Sequence, residues 1–257
     1  MTTFAIGAEH GQELAVFDSA TLASTSFRLY ERAREATWSP KQVVGRTTRP
    51  RSSDDSDLEF RWSLASRHVH VEQTGMLVFG LLMQEAPDAD VRLAMATIIS
   101  DEAKHAEAFA RYAVLLGGSI GGPPDDVEDL CGLLRSIPDP FARFLTVAML
   151  EWFALDQLAM LRRLFAGDTL YEIYNHVRKD EARHVAMGLE HLYRAVETRS
   201  RDEIRQLCDE ALARVPFGKD TLSFMDSSLG LADGETHAVL LRRHEQRVRS
   251  LVLRGRG

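Results

Sequence analysis

The sequence is poor in the residues that mark several functional classes. Its 257 residues include only two cysteines, Cys131 and Cys208, whose wide separation argues against a disulfide framework, a zinc ribbon or an iron–sulfur cluster. The formal net charge of -7 argues against binding to nucleic acid. No Gly-x-Gly-x-x-Gly motif follows a strand pattern, so a dinucleotide cofactor is not indicated.

Long hydrophobic runs are also missing. No stretch approaches about 18 uncharged apolar residues, the length that a membrane span requires. Residues 1–14 lack the basic and apolar regions of a signal peptide. We therefore expect a cytoplasmic protein with no membrane span, in which both cysteines stay reduced.

Proline is absent from three long spans, 51–86, 88–122 and 141–215, and this absence permits long helices. Strand patterns bounded by Asn-Gly or Asp-Gly are missing too, so the chain is predicted to be all-α. We expect one domain over 1–257, with a core bundle at about 56–198 and a loop over 39–55. Cap and breaker residues predict four long helices, at 57–85, from about 88 to 116, at 140–165 and at 169–197. Shorter helices are predicted at about 21–37, 125–135, 202–214 and 236–253.

An internal repeat carries the chemistry. Asp-Glu-Ala-Lys-His begins at Asp101 and Asp-Glu-Ala-Arg-His begins at Asp180, 79 positions later. A glutamate precedes the glutamate of each motif by 30 positions. The four matched pairs are Glu72 and Glu151, Asp101 and Asp180, Glu102 and Glu181, and His105 and His184.

The spacing places each set at one level of a helical hairpin. Residues at equal height in an antiparallel pair lie symmetrically about the turn. The midpoints fall at Pro87 and next to Gly167, which are independent turn signals. At about 1.5 Å per residue, each glutamate lies roughly 22 Å from its turn, level with its partner. Because Glu and His at i and i+3 share a helix face, two packed hairpins place four carboxylates and two imidazoles around one centre.

Six such groups in a core require cations. Four buried carboxylates repel one another and are poorly solvated, and two divalent metal ions neutralise them. This donor set is the one described for di-iron and di-manganese carboxylate bundles. Oxygen and imidazole ligands suit iron or manganese better than a thiolate-rich zinc site.

These residues resemble the ferritin-like di-iron carboxylate superfamily. The paired Asp-Glu-x-x-His motifs are similar to those of bacterial multicomponent monooxygenases and ribonucleotide reductase R2-like oxidases, as is Tyr30-Glu31-Arg32-Ala33-Arg34 followed by Trp38. The resemblance implies a ferritin-like four-helix bundle with additional N- and C-terminal helices. It implies two iron ions, with manganese or a mixed Mn/Fe pair as alternatives. The implied metal ligands are Glu72, Glu102, His105, Glu151, Glu181 and His184, and Asp101 and Asp180 would orient the histidine ligands.

Two departures narrow the expected activity. The radical tyrosine of reductase subunits lies four residues after the first histidine ligand, and this position is Phe109. A reductase role is therefore disfavoured. The additional histidine ligand of arylamine N-oxygenases falls at Val177, with His176 one position away.

Other residues are candidates for the surroundings of the metals. His68 lies four residues before Glu72 on the same helix face, where it is either a seventh ligand, a hydrogen-bond donor behind the ligands or a core residue. The glycines Gly75 and Gly188 either open space for oxygen or substrate or permit close helix packing. The predicted pocket-lining residues are Gly75, Phe79, Phe109, Tyr174 and Gly188.

The expected activity is that of an O2-dependent oxygenase or oxidase that hydroxylates, N-oxygenates or desaturates a small organic substrate. Electrons would come from an external donor, and the protein can be a homodimer. One alternative is a ferroxidase or iron-storage protein, and another is a metal-binding accessory protein. Storage proteins are usually shorter chains that assemble into cages, which disfavours the first alternative.

Overall fold

The computed structural model describes residues 17–45, 55–86, 88–214 and 219–256. Within these ranges every assigned element is an α-helix, which confirms the all-α prediction. The helices are α1 (Ser19–Ala23), α2 (Thr25–Glu35), α3 (Pro40–Gly45), α4 (Asp55–Glu85), α5 (Ala89–Gly117), α6 (Asp125–Ser136), α7 (Pro140–Leu164), α8 (Thr169–Val196), α9 (Arg201–Arg214), α10 (Lys219–Leu229) and α11 (Glu235–Val252).

The four long helices form two hairpins that pack together. Helix α4 pairs with α5 and α7 pairs with α8, while α5 and α8 meet at the centre. Helices α2 and α3 cover α5 and α8, α6 packs on α4 and α7, and α9, α10 and α11 pack on α7. The long helices therefore enclose a central space that the shorter helices shield from outside.

Local signals set the ends of these helices. The Asp139 carboxylate accepts a hydrogen bond from the Ala142 amide at 2.6 Å, and Pro140 begins α7. The chain turns at Gly167, whose φ of 85° disfavours other residues, and Asp168 then caps α8. The turn predicted at Pro87 lies outside the described residues.

Three sequence expectations about helices need correction. The helix expected at 21–37 is divided at Ser24, whose hydroxyl accepts a hydrogen bond from the Phe27 amide and begins α2. The loop expected at 39–55 contains α3, because Pro40 and Val44 find buried positions; residues 46–54 lie outside the described ranges. Helix α10 (Lys219–Leu229) was not predicted.

Helix α7 is mainly apolar, although it carries charged residues that include Arg143, Glu151 and Asp156. By length and composition alone it is the one described helix that could cross a membrane. However, 61% of its apolar window is buried inside the protein. A helix at the centre of a bundle has the same composition, because it is covered by other helices on several sides.

Candidate metal centre

The six side chains proposed as ligands meet where the hairpins pack. Helix α4 supplies Glu72 and α7 supplies Glu151, while α5 and α8 each supply a Glu-x-x-His pair. Each is buried except Glu151, whose side chain is 15% exposed. Long-range packing therefore brings together groups that lie up to 112 positions apart in the sequence, from 72 to 184.

The ligand atoms form two overlapping groups, in each of which all four atoms lie within 4.8 Å of one another. The first group is Glu72, Glu102, His105 and Glu181, and the second is Glu102, Glu151, Glu181 and His184. Glu102 and Glu181 belong to both. The arrangement has room for two cations, with two carboxylates shared between them.

Both imidazoles present the same nitrogen to the carboxylates. His105 Nδ1 lies 3.4 Å from Glu72 Oε2 and 3.3 Å from Glu181 Oε1. His184 Nδ1 lies 3.0 Å from Glu181 Oε2 and 3.4 Å from Glu151 Oε2. Nδ1 is therefore the nitrogen that each ring would offer to a metal ion, while Nε2 faces another partner.

The aspartates of the repeat pair with histidines of the opposite copy. His105 Nε2 lies 3.1 Å from Asp180 Oδ2, and His184 Nε2 lies 3.3 Å from Asp101 Oδ2. Each Nε2–H can donate to an aspartate, which fixes the ring orientation and the tautomer with Nδ1 facing the centre. The spacing alone did not indicate this exchange between copies.

Basic side chains link the two aspartates. Lys104 Nζ lies 2.6 Å from Asp101 Oδ1 and 3.8 Å from Asp180 Oδ2. Arg183, at the matching position of the second copy, donates to Asp101 at 3.1 Å and to Asp180. Burial alone would raise the pKa of Asp101, but hydrogen bonds from His184 and Lys104 hold it below its ordinary value.

Trp38 adds a contact that only one aspartate receives. Its indole Nε1–H donates to Asp180 Oδ2 at 2.7 Å, and its ring stacks on His176 at 4.8 Å. Burial alone would raise the pKa of Asp180, but hydrogen bonds from His105 and Trp38 hold it well below its ordinary value. In the sequence, Trp38 forms part of a resemblance, and no local pattern indicates its contact with Asp180.

The pKa shifts of two glutamates show how crowded the carboxylates are. Burial and the charges of Glu72 and Glu181 raise the pKa of Glu102 well above its ordinary value. Burial and the charge of Glu181 raise the pKa of Glu151 in the same way. Both shifts arise because each carboxylate is buried and faces other negative charges of the cluster.

Unpaired atoms at the centre support metal coordination. Among the described residues, Glu102 Oε1, His105 Nδ1 and Glu151 Oε2 are buried and lie 3.3–3.4 Å from other polar atoms of the cluster, but none makes a well-aligned hydrogen bond. Buried polar atoms are normally satisfied, and each orphan costs about 1–3 kcal/mol. All three point into the same cluster of oxygen and nitrogen donors, which suits iron or manganese. The residues therefore fit a pair of such ions.

A cavity of about 180 Å³ lies between α4 and α7 and reaches the centre. The carboxylates of Glu72, Glu102, Glu151 and Glu181 form part of its wall. The rest is mainly aliphatic, with contributions from α6 and from Leu240 of α11. Of the predicted pocket residues, Gly75 and Phe79 line this cavity, and so does His68.

A second cavity, of about 20 Å³, lies on another side of the centre and is almost wholly apolar. Phe79 and Gly188 line it, next to Glu151 and His184. Phe109 and Tyr174 line neither cavity. They are fully buried and pack with His68, whose ring stacks on Phe109 at 4.5 Å and meets Tyr174 edge-on at 5.5 Å.

His68 belongs to neither group of ligand atoms. None of the described residues makes a hydrogen bond to His68, and its Nε2 is buried and unpaired. Burial and the neighbouring Arg67 charge lower the pKa of His68 to about 3, so its ring is neutral. His68 therefore lies in the wall of the larger cavity and outside the two groups of proposed ligand atoms.

The fold and the six clustered side chains define a ferritin-like bundle with a carboxylate–imidazole centre. No protein-family model matches the sequence, and no curated protein matches it significantly. Solved structures do match. Three are variants of an R2-like ligand-binding oxidase, and each match covers 91% of this chain and 94% of the other.

The three structures differ in their cofactor. One carries an anaerobically reconstituted Mn/Fe cofactor, with a TM-score of 0.65 and 17% identity. Another carries an aerobically reconstituted Fe/Fe cofactor and a third a non-activated Mn/Mn cofactor, each with a TM-score of 0.63 and 16% identity. At identities this low, the matches establish the fold alone. They confirm the predicted ferritin-like architecture.

Proposed function

We propose that this protein binds two iron ions, or a manganese and iron pair, and uses O2 to oxidise a small organic substrate. The observation that carries the proposal is the pair of overlapping ligand groups around Glu102 and Glu181. The R2-like ligand-binding oxidases carry Mn/Fe or Fe/Fe cofactors, which supports iron and manganese as the candidate metals here.

The proposed ligands divide between two ions. Glu72 and His105 would hold one ion, Glu151 and His184 would hold the other, and Glu102 and Glu181 would contact both. When bound, a pair of redox-active metal ions supplies electrons for the reduction of O2 and the oxidising power that acts on the substrate. Four glutamates balance two divalent charges, so the loaded centre is neutral and suits an apolar interior.

The protein's own residues orient the centre and keep water from it. Asp101 and Asp180 each accept a hydrogen bond from a histidine Nε2, which directs Nδ1 toward the carboxylates. Phe79 lies between the two cavities and meets the His184 ring edge-on at 6.4 Å. This apolar wall would shield the oxidant from solvent while the organic substrate occupies the larger cavity.

The electron donor is proposed to be external. The two cysteines are far apart in the sequence, and neither adjoins the centre in a cluster of ligands. The electrons would come from a reductase, a ferredoxin, a cosubstrate or the substrate itself. A cytoplasmic location is part of the proposal, because reduced iron is maintained in a reducing compartment.

Oxygen uptake tests the proposal. The full chain is loaded anaerobically with two Fe(II) per chain and mixed with aerated buffer in an oxygen electrode. Bound iron is counted in a parallel sample that receives excess Fe(II) in aerated buffer. We expect O2 consumption in proportion to protein, with no iron bound beyond two per chain. The control is the Glu102→Ala variant, which should consume O2 no faster than free Fe(II).

Two outcomes would contradict this function. Uptake of many iron atoms per chain would favour an iron-storage protein, which is one of the alternatives that the sequence left open. Binding of two metal ions with no O2 consumption would favour an accessory metal-binding protein. Each result separates one alternative from the proposed oxidase or oxygenase.

A further inference from the structure

The wall of the larger cavity contains one imidazole with no protein partner. His68 lines the cavity, and none of the described residues makes a hydrogen bond to it. The face of its ring is held against Phe109 at 4.5 Å, so only the ring edge is free to meet a ligand. A neutral imidazole has one donor and one acceptor, and leaving these groups unmet inside a protein is costly.

The described lining of this wall offers no free cationic side chain. Arg67 is the one guanidinium in the described lining. Its Nη1 and Nη2 donate to the two carboxylate oxygens of Asp126 at 2.7 and 2.6 Å, a two-point pairing that occupies its binding edge. Deeper in the cavity the wall carries the carboxylates of the metal centre. An anionic ligand would therefore find no unpaired positive side chain.

The size of the cavity limits its occupant. A buried apolar cavity of about 150 Å³ accepts benzene. The larger cavity here, at about 180 Å³, is lined mainly by leucine, valine, phenylalanine and alanine outside the centre. A single ring with one small substituent, or an aliphatic group of similar volume, matches this space.

We propose that the larger cavity binds a neutral, mainly apolar molecule of about one ring in size, which makes a hydrogen bond to the edge of His68. This inference rests on the proposed function, because it names the substrate class of that site. His68 is then a specificity residue, which selects a substrate with one hydroxyl, amine or carbonyl group. It holds this group away from the metal ligands and leaves the apolar part of the molecule toward the centre.

Three one-ring probes test the proposal: phenol, toluene and benzoate. Binding to the full chain, loaded with Mn(II) and kept free of O2, is measured by calorimetry. Phenol and toluene have similar shapes, but only phenol can make a hydrogen bond to His68. The variant His68→Phe keeps a ring against Phe109 and removes both nitrogens, while His68→Asn retains hydrogen-bonding groups.

In His68→Phe we expect phenol binding to weaken about fivefold, the value of one net hydrogen bond, while toluene binding changes by less than about twofold. In His68→Asn the loss for phenol should be smaller. Benzoate should bind the wild-type protein more weakly than phenol does. Thermal melting of each variant shows whether it is folded, and the Asn variant supplies the test if the Phe variant is not.

Several results would overturn the proposal. An equal loss for phenol and toluene would give His68 a packing role only, and an unchanged affinity for phenol would remove it from the site. Tighter binding of benzoate would contradict a neutral ligand. If no probe binds the wild-type protein, the cavity is not a site for one-ring molecules. Because no turnover is required, a failure of O2 consumption would count against the proposed function and leave this binding result intact.

Discussion

The two copies of the repeat have the same centre but different surroundings. On one side of the centre three rings pack together, those of His68, Phe109 and Tyr174. On the other side, the small apolar cavity lies among three different residues. These residues, each 79 positions from its counterpart, are Val147, Gly188 and Met95.

The exchange of rings for smaller side chains explains why a small cavity opens beside Gly188, whereas the space occupied by Phe109 and Tyr174 is filled. Where Phe109 fills space next to His105 in the first copy, Gly188 leaves it open next to His184 in the second. The polar residue His68 corresponds to Val147. The charged cluster is matched in both copies, whereas its surroundings differ, with His68 lining the larger cavity and Gly188 lining the small one.

A second difference concerns close packing against a shared glutamate. A Cβ placed on Gly75 would lie 2.9 Å from Glu102 Oε2, closer than real side chains approach. Its counterpart in the second copy is Ala154, which has a Cβ. A side chain at position 75 would therefore force the Glu102 carboxylate to shift, whereas the second copy accommodates the Cβ of Ala154.

The largest expected effect comes from the carboxylates that both ligand groups share. Glu102→Ala or Glu181→Ala should reduce bound metal from two ions per chain to fewer than one, because each residue belongs to both groups. Glu72→Ala or Glu151→Ala should leave about one ion, because each belongs to a single group. Metal analysis by mass spectrometry measures the content. Retention of two ions by both Glu102→Ala and Glu181→Ala would refute the assignment.

The exchange of aspartates between copies predicts the next effect. Asp180→Asn should weaken metal binding by about 10- to 100-fold, because it removes the acceptor that orients His105. In a double-mutant cycle, Asp180→Asn should add little to the loss caused by His105→Ala, but should add its full effect to His184→Ala. Competition with a chelator measures the affinities. Coupling of Asp180 to His184 instead would show pairing within one copy.

The glycine on α4 predicts a smaller effect, with a matched control on the same helix. Gly75→Ala should lower the free energy of unfolding by about 1–3 kcal/mol, because its Cβ overlaps Glu102. Gly80→Ala meets nothing within 4 Å and should raise it by up to about 1 kcal/mol through helix propensity. Urea unfolding measures both. Equal stabilisation by the two variants would contradict the close contact.

The smallest effect is expected at Gly188, where the second copy of the repeat leaves space for a side chain. A Cβ on Gly188 would lie 3.6 Å from the Ala148 Cβ, an ordinary contact. Gly188→Ala should therefore stabilise the protein by up to about 1 kcal/mol, in contrast to Gly75→Ala. The same urea unfolding experiment compares them. Destabilisation by Gly188→Ala would show that this side is as tightly packed as the first.

The sequence predicts the bundle and its central charges because both depend on regular spacing. Helical periodicity puts Glu102 and His105 on one face, and the 79-residue offset repeats that face in α8. The partners of the aspartates could not be predicted in the same way. Whether Asp180 meets His105 or His184 depends on how α5 and α8 are rotated against each other, and no local pattern records that rotation.

The surroundings of the centre were the least predictable part. Trp38 lies 142 positions from Asp180 and reaches it only because α3 and the chain before it fold back over α5 and α8. Phe109 and Tyr174 lie on the ligand-bearing helices, yet His68 separates their rings from the larger cavity wall. Cavity shape depends on the sizes of many side chains from several helices, which a one-dimensional pattern does not contain.

The most direct test of the central claim is anomalous X-ray diffraction from crystals of the full chain loaded with Mn(II). The account predicts two manganese peaks, one among Glu72, Glu102, His105 and Glu181 and the other among Glu102, Glu151, Glu181 and His184. A single peak, or none at this position, would contradict a two-metal centre.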